Sequence, residues 1–404
     1  MSFFFNTGRA KEKLAVIFDI GSGSVGAALV GFISQKPPKI FYTTRKKIQI
    51  SKNIHAQELL TRMTSALKET FSDIEKEGFP HVRFTFLGNI KPDLVFYVLA
   101  SPWHISQVRF VRKKESRPFR VEADLLGNLV HHELTEFLKA HTSSEITENK
   151  NHTHELIEGD ILDVELNRYS TKGPIGKVAH DIGVTVFATS APTDFVSSLR
   201  VIGERACHGV LNRFASFTFA FFTVVRDIWN ENRNYFLLDI SGEVTDLSVV
   251  KDGKLLETRS FPFGSNTVIR LVASRLGLTI LEAESLLATF FGGHLSLSQP
   301  MRSVIKSAEN QWTSLFSKEL TEVSSQILLP HEFFLTADEP YASWFKEIIE
   351  SEGVRPLTPT GKSFSVVLLD GNVLAPYCSF APGVYMDPFL IIESIFLNRK
   401  ISMV

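Results

Sequence analysis

Cysteine is almost missing from these 404 residues: Cys207 and Cys378 are the two present, too few for a disulfide framework, and a reducing setting is expected. No run approaches the roughly 18–20 consecutive apolar residues of a membrane-spanning helix. The opening "MSFFFNTGRAKEK" has too short an apolar run for a secretory signal. Charge of one sign is lacking too. With 43 Lys and Arg against 44 Asp and Glu, the net charge of −1 supplies no whole-chain footprint for nucleic acid. Short-period repeats are absent. The histidines at 131, 132, 141, 152 and 154 follow no zinc-ligand spacing, and "HHELTEF" lacks the second histidine of a zinc-protease helix. Tyrosine is scarce and phenylalanine abundant, 7 against 34, and Phe217, Phe219, Phe221 and Phe222 are assigned to the core. What remains is a soluble, cytosolic chain, long enough for two to four domains.

Two stretches organise it. "LAVIFDIGSGSVGAALVGF" (14–32) runs from a buried-looking strand through Asp19 and a small turn, Gly21-Ser22-Gly23-Ser24, into a second apolar strand. "NYFLLDISGEVTDLSVVKDGKLLE" (234–257) repeats the plan about Asp239 and passes through a further turn into a third strand. Two copies so far apart predict two similar halves with a cleft between them. Around these, the 3.6-residue spacing of Leu59, Leu60, Met63, Leu67 and Phe71 predicts a helix over 56–79. Further helices are expected at 121–140, 193–207, 208–229, 266–291, 299–328 and from Pro388 on. Strands are expected at 94–100, 160–170, 182–191 and in "HEFFLTADEP", with a polar loop at 141–155.

A Gly-Ser turn lets backbone N–H groups approach phosphate oxygens with no Cβ in the way. Such turns also cap ordinary hairpins, and an aspartate at a strand end can simply satisfy turn amides. The order of the pieces resembles the actin-like ATPase superfamily, and within it the FtsA cell-division proteins and their PilM pilus-assembly relatives. The resemblance rests on "FDIGSGSVGAALV", "LLDISGEVTDLSVVKDGKL" and "RSFPFGSNTVIRLVASRLGL", with an FtsA-like insert between the first two. It implies an α/β, two-lobed actin-like (ribonuclease-H-like) fold. The lobes and insert would be residues 1–100, an inserted α/β subdomain at 101–207, a connecting helix at 208–231 and a second lobe at 232–404. It also implies ATP and Mg²⁺ between the lobes. Asp19 and Asp239 would hold the metal through water. Gly21, Ser22, Gly23, Ser24, Ser241, Gly242, Gly264 and Ser265 would contact the nucleotide, and Asp246 would orient the metal shell or the attacking water.

The chain also departs from the family pattern. The first turn has Ser24 and Val25 where many FtsA proteins place a lysine. Ser241 and Glu243 replace two glycines, and Ile269 and Leu271 replace polar residues. Ala337-Asp338 stands where the adenosine motif has two glycines. The implied function is a cytoplasmic, membrane-peripheral scaffold that self-associates as a dimer or filament and links a division machine to its partners. The alternative is a PilM-like adaptor or pseudo-actin that binds a membrane-protein peptide without hydrolysing ATP. A sugar or acetate kinase on the same fold is a third possibility, for which no catalytic acid can be named. Partners would be membrane-associated division or pilus proteins rather than nucleic acid. Membrane contact would be indirect or weak, since the end "DPFLIIESIFLNRKISMV" reads as a core helix and not as a separate anchor. The basic run "RFVRKKESRPFR" (109–120) is expected as a solvated hairpin of the insert, with acidic lipids or a partner as alternatives. "MSFFF" with Arg9, Lys11 and Lys13 could touch a membrane or pack as a terminus.

Overall fold

In β1 (Lys13–Ile20) every residue after Lys13 is buried, and in β2 (Ser24–Phe32) all are. A strand covered on both faces reads as a continuous apolar run. The pleat then sorts its side chains. Leu14, Val16, Phe18 and Ile20 face a core that includes Met63, Leu67 and Phe71 of helix Ala56–Asp73. Ala15 and Ile17 face a second core with helices Phe217–Trp229 and Pro388–Ser402. The computed structural model describes residues 13–82, 91–142, 153–229, 233–293, 298–325, 327–351, 353–354, 361 and 363–402. The N-terminal "MSFFF", Arg9, Lys11, His152 and most of the 141–155 loop lie outside them.

The remaining strands, in chain order, are β3 (Lys39–Lys47), β4 (Leu94–Leu99), β5 (Ile105–Arg120), β6 (His154–Leu166), β7 (Tyr169–Ser170), β8 (Val178–Pro192), β9 (Leu211–Ser216), β10 (Tyr235–Ile240), β11 (Thr245–Lys251), β12 (Lys254–Phe261), β13 (Glu332–Ala337), β14 (Ser365–Leu368) and β15 (Ser379–Phe380). One sheet runs β15-β3-β2-β1-β4-β9 and a second runs β12-β11-β10-β13-β14. Each centres on a strand ending in Asp-Ile, antiparallel to its hairpin partner and parallel to the next strand. A third sheet, β5-β8-β6-β7, carries helix Ala123–Thr142 and enters the chain between the parallel neighbours β4 and β9. It is an insertion into the first lobe. The core around helix Phe217–Trp229 also takes in Tyr235, Leu237 and Phe334 of the second sheet, so buried apolar surface joins the lobes.

Three expectations change. Residues 208–229 are not one helix: 211–216 form β9, and the helix starts at Phe217. A stretch rich in phenylalanine satisfies either period, and parallel pairing with β4 decides it. The 232–404 segment is not wholly in the second lobe. β15 pairs with β3, and Leu390, Ile391, Phe396 and Leu397 of the last helix bury against the first sheet's core. The 266–291 stretch is two helices, Ser265–Leu276 and Ile280–Phe291, divided at Gly277, whose φ of 67° is the left-handed geometry glycine adopts freely.

Candidate functional site

The two Asp-Ile strands bring their hairpin tips into contact. Ser22 Oγ lies 2.9 Å from Ser241 Oγ and accepts the Glu243 N–H at 2.9 Å. A Cβ on Gly242 would sit 2.5 Å from Gly23 Cα, so glycine here lets backbone meet backbone. Behind the second tip starts helix Ser265–Leu276. A helix N-terminus is a ready anion site, but here the Ser265 N–H donates to Ser241 O (3.1 Å) and the Asn266 N–H to Gly242 O (2.8 Å). Tip carbonyls take the amides that a phosphate would need. Gly264 is held equally close, since a Cβ there would meet Ser241 O at 2.2 Å.

Asp19 meets a cation that the sequence motifs do not contain. In the strand register Asp19 stands opposite Gly26, and Gly26 stands opposite Arg45. With no side chain on Gly26, the guanidinium lies across β2. An added Cβ there would be 2.7 Å from Arg45 Nη2. Arg45 donates to Asp19 Oδ2 (2.7 Å), Ser24 Oγ (2.9 Å) and both oxygens of Asp387 (2.6 and 2.9 Å). Asp387 also accepts from the Phe389 and Leu390 amides at 3.1 Å, starting the last helix. Burial pushes the Asp19 carboxyl up to about 6; Arg45 opposes this, and Asp387 adds to it. Arg45 is raised because it serves two carboxylates, whereas Asp19 shares its one cation, so their shifts differ in kind. Glu393 of the last helix is fully buried beside Asp19, and burial, with the Asp19 charge, raises it well above the ordinary carboxylate value.

The second half is arranged differently. Asp239 accepts from Thr336 Oγ1 at 2.9 Å, and burial, with Asp246 opposite it on β11, raises it well above the carboxylate range. Asp246 accepts from Ser101 Oγ (2.9 Å) and from Ser260, and burial raises it too. It lines a cavity of about 390 Å³ with Ser101, His104 and Ser260. A separate cavity of about 20 Å³ lies between the tips, walled by Asp19, Gly23, Arg45, Asp239 and Asp338 among others. Glu243 is turned out of the cleft, accepting from Asn266 Nδ2 (2.8 Å) and from both terminal nitrogens of Arg270. The carboxylate that replaces a glycine beside the tips is thus held in a buried ion pair. Beyond the tips, a cavity of about 180 Å³ runs past Ile48, Ile269, Asp338 and Tyr341.

No known family model matches this sequence, and no curated protein matches it. Solved structures do. PilM in the PilM–PilN type IV pilus biogenesis complex superposes with a TM-score of 0.62 at 15% identity, over 96% of this chain and 98% of that one. A diol dehydratase-reactivating factor in nucleotide-free form gives 0.50 at 8% identity, over 96% and 100%. The chain has the actin-like ATPase fold. In that fold the predicted nucleotide residues Asp19, Gly21, Gly23, Ser24, Asp239 and Ser241 come together around the small cavity. Ser22 and Gly242 bind the opposite tip. Gly264 and Ser265 back the second tip, and Ile269 reaches the larger cavity.

The space left between the tips is small. About 20 Å³ holds a single water, and about 180 Å³ is below the ~300 Å³ at which ordinary small-molecule sites begin. Asp19, named for the metal, already holds a guanidinium. Asp338 also walls the small cavity, and its Oδ2 would lie 3.0 Å from a Cβ on Gly23. Sequence reasoning missed Arg45, Asp387, Glu393 and Arg270. The available signal was the glycine that lines up between Asp19 and Arg45 in the register, visible only once three strands are paired.

Proposed function

We propose that this chain is a non-hydrolysing scaffold on the actin-like fold. It would dock a segment of a membrane-associated protein at the cytoplasmic face, and an internal ion pair would close its cleft in place of a nucleotide. The observation that carries this is Arg45 bound to Asp19, Ser24 and Asp387 at the place of the expected metal. The buried core shared by both lobes supports a body that keeps its shape without a ligand. The PilM-type role is favoured over the division role because PilM, in complex with PilN, is the structure that overlays at 0.62 across nearly both chains. No helix among the described residues is long and apolar enough to cross a membrane, which suits recruitment through a partner.

A nucleotide-switched, self-associating scaffold is the second reading. It is favoured by Asp19 and Asp239 ending the two central strands and lining one cavity. Calorimetry with ATP and Mg²⁺ on the full chain separates the two. The scaffold reading expects no heat and no melting shift at millimolar ATP. Micromolar binding that Asp19→Ala abolishes would overturn it.

A further inference from the structure

The basic run at 109–120 has no part in the cleft. It lies on β5, and β8 beside it carries the inserted sheet away from its attachment at Ile105↔Ser190 to a free end at Arg120↔Val178. At the usual strand rise this is about 45 Å. The free end is assembled from two stretches. The 171–177 turn is tied to β5's end by Gly176 N–H donating to Val121 O (2.7 Å) and Val121 N–H donating to Lys177 O (2.8 Å). Lys114, Arg117 and Arg120 come from the first stretch, and Arg168, Lys172 and Lys177 from the second. Among the described residues none of the six has a carboxylate partner, although most cations of the inserted sheet nearer the lobes do, such as Arg109 with Glu133 and Arg112 with Glu165. Glu115 is taken by Lys113. Glu122 and Asp124, at the start of the neighbouring helix, leave the cations in excess.

Large apolar side chains project from the same end. Tyr169 is 78% exposed, Ile175 59% and Val178 58%. Single exposed apolar residues are ordinary on any surface. Tyr169 of β7 pairs with Leu166, Ile175 lies in the 171–177 turn and Val178 starts β8. These exposed side chains share the outer part of the sheet with the six cations that lack carboxylate partners among the described residues. That combination suits a bilayer surface, with basic heads at anionic headgroups and apolar side chains entering beside them. Nucleic acid would use the cations but has no use for Ile175 and Val178, and an acidic protein would leave these apolar side chains in water.

We infer that the free end of the inserted sheet docks directly on anionic membrane surfaces. This goes beyond the proposed partner docking and stands whether or not the cleft takes a nucleotide. The test is flotation of the full chain with vesicles of phosphatidylcholine alone and with about half phosphatidylglycerol. Wild type is compared with a Lys172→Glu/Lys177→Glu pair and a Tyr169→Ser/Ile175→Ser pair, each checked for an unchanged melting curve. The expected result is partitioning onto anionic vesicles only, reduced at least about tenfold by charge reversal. The Tyr169/Ile175 pair should reduce it about three- to tenfold, most clearly at high salt. No partitioning, equal partitioning onto neutral vesicles, or partitioning that either pair leaves unchanged would overturn the inference. So would tighter capture of a single-stranded RNA at the same salt that the charge reversal abolishes, which would reassign the patch to nucleic acid.

Discussion

The two hairpins at the centre of the molecule share a plan and differ in how they neutralise the acid at its end. In the first, Asp19 is balanced by a charge, Arg45. In the second, Asp239 accepts from the Thr336 hydroxyl, and burial raises its pKa well above the ordinary carboxylate value. A buried ion pair holds its geometry at a cost in desolvation, and removing one partner leaves an uncompensated charge. A buried carboxyl held by one hydroxyl has fewer partners to lose. The first half is therefore the rigid, charge-locked side of the cleft, and the second half meets it through backbone contact at Gly242.

That asymmetry sets the size of the expected effects. Arg45→Ala should be the most damaging change, costing about 3–5 kcal/mol in urea unfolding, because Asp19 and Asp387 are then left buried without a cation. Gly242→Ala should cost about 1–3 kcal/mol, since its Cβ would press on the Gly23 backbone and part the tips. Gly26→Ala should cost about as much as Gly242→Ala, because its Cβ meets the Arg45 guanidinium that Asp19 and Asp387 hold in place.

The pH dependence follows from Asp19. Its folded pKa of about 6 lies above the ordinary value of 3.8, so between these values the folded chain holds a proton that the unfolded chain releases. This contribution is full below about pH 4 and is lost as pH rises through 6, by up to about 3 kcal/mol. Melting temperature followed across that window should fall with pH in wild type, and Asp19→Asn should flatten the slope. The smallest effect is expected for Asp239→Asn, within about 1 kcal/mol of wild type at pH 7, since burial already disfavours its charge and the amide keeps an oxygen for the Thr336 hydroxyl. A loss as large as that of Arg45→Ala would abolish the contrast between the halves.

Much of the frame was legible in the sequence. The unbroken apolar runs before Asp19 and Asp239 announce strands buried on both faces, whereas the small residues after them, read as phosphate turns, serve contact between the two tips. Two similar halves follow from the spacing of the two motifs, and the insert between them was expected from the resemblance to FtsA proteins. Arg45 was hidden because "TTRKK" looks like the polar end of an edge hairpin, and only the alignment of Asp19, Gly26 and Arg45 across three strands gives it a role. The pairing of Glu243 was hidden because its partner Arg270 sits in the next helix, 27 residues on. The return of residues 379–402 to the first sheet depends on contacts with residues more than 300 positions earlier, which no local pattern encodes.

The most direct test of the central claim is a double-mutant cycle between Arg45→Met and Asp19→Asn, read by urea unfolding at pH 7. An internal lock predicts that the double variant is more stable than the sum of the single losses implies, with a coupling of about 2 kcal/mol or more. Losses that simply add, to within about 0.5 kcal/mol, would contradict it and return Asp19 to the role of a free metal ligand.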